Sequence, residues 1–382
     1  MSRTHRFLSA LLLSASALAV APRQAHAMPS FARKENLGCP VCHTAFPELN
    51  ETGRAYKDNS YRFPGAKSGK AKTTAKDLGG GVKVDPIPGL AVVIKGALAA
   101  INPDMNNTEQ VTGMPFGMAH IMGAGVSGDN WSYTLEVTGM VDEDFAVDAG
   151  GFVEYDFSRQ LGVFGGRSSL FGRDIYNTLS EGRFLDHQEH AVTDYEGSLG
   201  AGLNEESAQL GIRGRVGPAS YMVLTSPGPG STMIGDMMGG GGSMADLRMD
   251  YLGRLAFDVT PKVEMGGFVY SGNTTADSTV RVALDAGILS GAGNYKVVAM
   301  YDTLDQAVAA EASWDLPEQL GSTWLVPLAR VDFTAADETS VAPAVGFGVQ
   351  RSGGRLQAEV SYELGAGSPP PPSVQLDYIA AF

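Results

Sequence analysis

Only two cysteines occur in the 382 residues, so no disulfide framework holds this chain together. Beyond residue 27 no apolar run approaches the about 18 residues that a membrane-spanning helix needs. Basic residues are scarce: 28 Lys and Arg stand against 42 Asp and Glu, a formal charge of −14. Such a surface repels nucleic acid and favours cations as ligands. Charged residues are only 18% of the chain, while glycine fills 49 positions. The clustered Leu, Ile and Val of a large soluble core are also missing; apolar residues are spread thinly and alternate with polar ones.

The first 27 residues read as an export signal. Arg3 and Arg6 precede the apolar stretch Phe7 to Val20, and Ala25-His26-Ala27 is an A-x-A cleavage site. Cleavage removes Arg3, Arg6 and Arg23 and no acid, which takes the formal charge from −14 to −17. The two cysteines stand close behind, in Cys39-Pro40-Val41-Cys42-His43. A Cys-x-x-Cys-His run is the attachment site of a c-type haem. The thiols of Cys39 and Cys42 add to the two vinyl groups of the porphyrin, and His43 becomes the proximal axial ligand of the iron. A thioredoxin-like dithiol is the competing reading; it needs a βαβ setting, absent here, and has no use for the histidine. One covalent haem c is the expected cofactor, and no catalytic residue is expected.

From about Pro88 onward the pattern has period two. Arg355-Leu356-Gln357-Ala358-Glu359-Val360-Ser361-Tyr362 alternates strictly, as do Gln209 to Arg213 and Asp246 to Tyr251. Period two means a strand with one apolar and one polar face. The polar face carries charge at Arg213, Arg215, Arg248, Arg254, Arg281, Arg330, Arg355 and Glu359, which suits a lumen and not a soluble core. Strands are expected near 89–101, 115–127, 131–140, 151–158, 160–168, 207–216, 219–226, 245–258, 263–272, 279–289, 294–302, 306–315, 322–333, 341–350, 354–364 and 373–382. Short turns such as Gly128-Asp129-Asn130, Gly217-Pro218 and Pro261-Lys262 alternate with long loops, and the last strand ends on Phe382. That asymmetry belongs to a single-chain outer-membrane barrel with short periplasmic turns. The longest loop, Ser169 to Glu206, looks like a constriction loop folding into the lumen. The loop Pro227 to Met244 reads as flexible and rich in Gly and Met.

The fold expected is therefore all-β: a 16-stranded antiparallel transmembrane β-barrel, porin-like, with a short N-terminal helical c-type haem segment. The divisions are a signal peptide at 1–27, a monohaem cytochrome c segment at 28–63, a linker at 64–88 and an outer-membrane β-barrel at 89–382. A haem segment so short cannot bury a haem alone, so the barrel must supply the rest of the pocket.

The combination resembles the fused outer-membrane monohaem cytochrome–porins of iron-oxidising bacteria. The matching positions are Pro29, Phe31, Arg33, Cys39, Cys42, His43, Pro47, Leu49, Gly53, Tyr56 and Lys57. This chain departs at Arg33-Lys34-Glu35-Asn36, where many members have Arg-Gln-Thr-Gly, and at Ser60-Tyr61, where many have Gly-Tyr. The resemblance implies electron transfer across the outer membrane, from extracellular Fe(II) or another reduced donor to a periplasmic c-type cytochrome or other carrier. Outer-membrane lipid would be its surroundings, and nucleic acid no partner.

The distal ligand is open among His120, His187, His190 and the methionines, Met28 included. A lone strand histidine such as His120 is by default a polar lumen residue. Asp142-Glu143-Asp144 and Asp186-His187-Gln188-Glu189-His190 could hold a cation, with a solvated loop as the default. Two further functions stay in view: a haem-bearing porin for small solutes, and a periplasmic cytochrome fused to a soluble β-domain.

Overall fold

A strand charged at every second position can bury that face only where charges meet partners, and its apolar face is left outside. The computed structural model describes residues 31, 37–38, 41–44, 48–63, 76–77, 83–84, 89–103, 109–141, 145–174, 179, 190–227, 249–273, 278–290, 293–321, 323–336, 338–351, 354–365 and 372–381. The signal segment, Met28, Cys39, Asp142 to Asp144, His187, most of the methionine-rich loop and Phe382 lie outside the described residues.

The barrel strands are β1 (Gly89–Pro103), β2 (Glu109–Ser127), β3 (Trp131–Val141), β4 (Phe145–Ser158), β5 (Leu161–Ser168), β6 (Ser207–Val216), β7 (Ala219–Ser226) and β8 (Asp250–Thr260). They continue as β9 (Val263–Asn273), β10 (Ser278–Ser290), β11 (Gly293–Asp302), β12 (Ala307–Asp315), β13 (Thr323–Ala335), β14 (Thr339–Arg351), β15 (Gly354–Ser361) and β16 (Ser373–Ala381). Neighbours in sequence pair antiparallel, and β16 closes on β1 through pairs from Val374↔Ile101 to Ala381↔Val93. A three-residue strand, Glu318–Leu320, extends the hairpin between β12 and β13. One helix, α1 (Glu51–Asp58), precedes the barrel, and within 64–88 the pairs Lys76–Asp77 and Lys83–Val84 form a small hairpin.

Burial is inverted relative to a soluble protein. In β10, Val282 is 43% and Leu284 74% exposed, while Arg281 and Asp285 on either side of them are 0% and 5% exposed. The same alternation leaves Leu210, Val223, Leu255, Val269, Val297 and Phe347 outward, and Arg213, Arg254, Glu311, Arg330 and Glu359 buried inward. An outward apolar band with aromatic residues near both rims is the lipid-facing surface of a transmembrane barrel. Trp131, Phe157, Phe257, Tyr295 and Trp314 stand outward near the short-turn rim, and Tyr251 and Tyr301 near the other. This overturns the soluble β-domain, whose core would hold those side chains. Among the described residues no helix is long and apolar enough to cross a membrane; the strands do so.

The largest cluster of buried apolar side chains lies inside the barrel. Leu170, Phe171, Leu179, Val192 and Leu203 of the long loop pack with Phe152, Phe164, Phe268 and Tyr270 of the wall. The loop thus folds inward, with the Phe171 and Phe268 rings 5.0 Å apart. Further along it is fastened to the wall at the long-loop rim. Arg281 donates to the carbonyls of Tyr195 and Glu196 at 2.9 and 2.7 Å, and Asp305 accepts from the Tyr195 hydroxyl at 3.1 Å.

Leu284 sits at the middle of β10, facing lipid. Leu284→Arg should cost about 2 to 4 kcal/mol in reversible unfolding from lipid vesicles, the depth-dependent penalty of a midplane charge. On a soluble protein's exposed face the same change would stay within about 0.5 kcal/mol.

Candidate functional site

Asn50 begins α1 because its short polar side chain caps free backbone amides. Its Oδ1 accepts from Gly53 N at 3.0 Å, while its own amide donates to Cys42 O at 2.9 Å and its Nδ2 to Val41 O at 3.1 Å. The haem-motif loop is therefore folded back onto the start of the helix. His43 pairs antiparallel with Leu49, closing the loop from the other side. Gly53 is demanded here by contact: a Cβ on it would lie 2.1 Å from Cys42 O.

The segment after the motif lies along the lumen wall near the short-turn rim. Asn294 on β11 donates to Thr44 Oγ1 at 3.2 Å, and Lys296 on β11 reaches Glu48 at 2.7 and 2.8 Å. Further on, Arg54 meets Glu264 of β9 at 3.3 Å, and Asp58 meets Arg215 of β6 at 2.9 Å. Arg62 reaches Asp156 of β4 at 3.4 Å and the Trp131 carbonyl of β3 at 2.8 Å. The segment thus follows an arc of wall from β11 round to β3.

Ser60 and Tyr61 both take left-handed backbone, with φ of 51° and 61°. That conformation costs a residue with a side chain about 1 kcal/mol. Glycine would take it without that cost. Here the serine is buried, and Arg213 donates to its Oγ at 2.7 Å. The turn brings aromatic rings together: Phe31 stacks on Tyr61 at 4.9 Å, and Tyr56 meets Phe31 edge-on at 5.4 Å and Phe63 at 4.9 Å.

Loop and segment meet at Arg173-Asp174. Arg173 is buried, pairs with Glu154 of β4, and lies 3.3 Å from the Tyr61 hydroxyl. Asp174 receives Arg254 of β8 at 3.2 Å, and its carbonyl accepts from Lys57 Nζ at 2.5 Å. Burial pushes the Lys57 amine down from 10.5 to about 8, against the pull of Asp174 and with the push of Arg173.

The residues present fit a covalent haem. The Cys42 and His43 backbone is held by Asn50 and Leu49 and closely approached by Gly53, and the chemistry of a thiol next to an imidazole is that of haem attachment. Cys39 lies outside the described residues. His120 is buried in β2, where its Nδ1–H donates to Glu136 and lies 2.9 Å from Thr138 Oγ1. The wall strand β2 stands seven strands round the closed barrel from β11, which holds Thr44, so His120 and His43 are not brought together. His190 corrects the solvated-loop default: it is buried, 2.8 Å from Glu311 Oε2 and 3.0 Å from Arg330 Nη1. Among the described residues no three His, Cys, Asp or Glu side chains converge as a metal site. The tethers Asp58, Lys296 and Arg173 were not singled out in the sequence; their signal was the charge at inward strand positions, which marked the wall but not its partners.

An amine whose folded pKa lies below its unfolded value holds fewer protons when folded, so stability rises with pH between the two. For Lys57 that window runs from about 8 up to 10.5. Amide-exchange protection of Glu51–Asp58, corrected for intrinsic rates, should therefore rise between pH 7.5 and 9.5. In Lys57→Met it should be higher at pH 7.5 and no longer climb.

No protein-family model matches the chain, and no curated protein sequence matches it either. Solved structures do. OmpF of Salmonella typhi, in complex with daunomycin, is similar at 9% identity and a TM-score of 0.55, covering 79% of this chain and 98% of that one. The outer membrane channel DcaP of Acinetobacter baumannii is similar at 12% identity and a TM-score of 0.54, covering 77% and 96%. A loop-deletion variant of OmpT of Vibrio cholerae gives 11% identity and a TM-score of 0.50, covering 77% and 98%. At these identities the likeness is one of fold: the chain carries a closed porin-like outer-membrane β-barrel, and about a quarter of it has no counterpart in those structures.

Proposed function

We propose that the chain carries electrons across the outer membrane through a single c-type haem seated in the barrel. The observation that supports this most is the position of the Cys42-His43 loop: it is tied inside the lumen by ion pairs to the wall, and the wall's charged side chains are shut from solvent. An open water-filled channel wets its lining; this lining is dry at Arg254, Arg281, Arg330, Arg355, Glu311 and Glu359.

On this reading Cys39 and Cys42 would hold the porphyrin and His43 would ligate its iron. The bound group supplies a one-electron couple whose potential is set by ligand, burial and hydrogen bonding. Asn50, Leu49 and Gly53 fix the loop and so the direction of the His43 ring. Outside, Fe(II) loses one electron and leaves as Fe(III). That electron reduces a periplasmic carrier by one equivalent, so the insoluble product never has to enter the cell. The acidic balance of the chain draws the cationic donor.

A second reading is favoured by the inward-folded loop 169–206 and by the porin-like barrel: a channel for small solutes, with the N-terminal segment as its stopper. Two measurements separate the readings. The protein purified from outer membranes should keep haem through a denaturing gel and, once oxidised, should be reduced by anaerobic Fe(II) in stopped flow. Cys39→Ser/Cys42→Ser should lose the haem while retaining heat-modifiable barrel migration. No reduction by Fe(II), together with rapid sugar entry into vesicles carrying the intact protein, would sink the electron-transfer reading in favour of the channel.

A further inference from the structure

The wall beside the haem segment holds a carboxyl group that neither reading uses. Asp315 ends β12 at the short-turn rim and is only 6% exposed. Its Oδ2 accepts from Asn294 Nδ2 at 2.8 Å, and among the described residues it makes no ion pair. Lys296 of β11 acts on it, but that ammonium is held by both oxygens of Glu48, at 2.7 and 2.8 Å. The other cation acting on Asp315 is Arg355 of β15. His190, Glu311 and Arg330 line the same cavity of about 20 Å³ as Asp315, Glu48 and Lys296. They are occupied with one another: His190 meets Glu311 at 2.8 Å and Arg330 at 3.0 Å, and Arg330 also holds Asp332 at 2.7 Å.

A buried carboxylate without its own counter-charge is costly, and a proton removes the cost. At Asp315 the opposing influences are close to balance. Burial and the charge of Glu48 favour the neutral acid; Lys296 and Arg355 favour the carboxylate. One unit of charge added nearby is enough to decide between the two forms. The connection to the segment shows where such a charge would act. Asn294 Nδ2 also donates to Thr44 Oγ1 at 3.2 Å, and Thr44 directly follows His43. Thr44 N donates in turn to Glu48 O at 3.2 Å. Asp315, Asn294, Thr44, Glu48 and Lys296 therefore form one run of contacts beside the histidine that would ligate the iron. The position at the short-turn rim makes periplasmic water the proton source.

We infer that Asp315 is a redox-linked proton site: it takes one proton from periplasmic water with each electron that reaches the haem, and returns it as that electron leaves for the carrier. The inference rests on the electron-transfer reading. For each electron one Fe(II) outside becomes Fe(III); electron and proton arrive together and leave together, so the dry lumen gains no net charge. The test measures the midpoint potential of the purified full chain in detergent between about pH 5 and 9, where buried carboxyls titrate. A group that protonates on reduction makes the potential fall as pH rises. The one-proton limit is about 59 mV per unit, tenfold in proton activity for one electron. Asp315→Asn, which keeps the side chain's size, should at least halve the slope. Reduced-minus-oxidised infrared spectra of the unmutated protein should show a carboxylic-acid C=O band that shifts in D₂O, and Asp315→Asn should lack it. A slope or band that survives in Asp315→Asn belongs to another acid, such as the carboxyls of the porphyrin, and overturns the inference. So does a haem-bearing protein whose potential ignores pH or whose spectrum lacks the band; electron transfer itself would then stand. A chain that binds no haem takes both readings down together.

Discussion

The structure turns on where buried charge finds its partner. Sixteen strands present apolar side chains to lipid, so their alternate side chains face the lumen, and many of these are charged. Charges in a dry interior must be paired. The wall alone satisfies some: Arg254 pairs with Asp285 at 2.6 Å, Arg213 with Glu154 at 2.5 Å, and Arg281 with Asp302 at 2.7 Å. The remaining partners are brought in by other parts of the chain. Asp58 comes from the N-terminal segment and Asp174 from the long loop. The wall therefore selects its own filling, and the position of the haem-motif loop follows from electrostatics more than from any apolar contact.

The two halves of the wall solve the problem differently. From β4 to β11 the charges pair between elements, and the segment is held there. From β13 to β16 they pair within a strand, at alternate positions: Arg330 with Asp332 at 2.7 Å, Gln357 with Glu359, and Gln375 with Asp377 at 2.5 Å. The segment's contacts with the wall run from β3 round to β11. His120 of β2 belongs to neither scheme: Glu136 holds its Nδ1, and its Nε2 is buried with no hydrogen-bond partner among the described residues.

Most of the fold could be read in the sequence because a barrel strand is a local pattern: one face apolar, one polar, repeated every two residues. All sixteen expected strands are present, and the misplacements have physical causes. β2 begins at Glu109 and not near 115, and Pro115 falls where the β1–β2 register shifts between Ala97↔Met114 and Lys95↔Met118. A bulge is where a sheet accepts proline. β4 begins at Phe145 and not near 151, running on through Gly150-Gly151 with Gly151 at φ 143°. At the site, Gly53 and Leu49 were marked by motif, and they do converge on the Cys42-His43 loop. What stayed hidden was long-range: Lys57 with Asp174, Lys296 with Glu48 and His190 with Glu311 join residues more than a hundred positions apart, and no local period encodes them.

These pairings also bear on whether the segment is a gate or a fixture. Leaving one member of a buried ion pair without its partner costs about 3 to 5 kcal/mol. Withdrawing residues 48–62 would take Glu48 from Lys296, Arg54 from Glu264 and Asp58 from Arg215, besides uncovering the Arg173 side chain. Even at a fraction of that value each, the sum exceeds what a small neutral solute could offset by binding. A stopper meant to open would be held by fewer and wetter contacts. A redox group meant to stay at one distance from donor and acceptor needs the opposite, and the arc of pairs from Glu48 to Arg62 provides it.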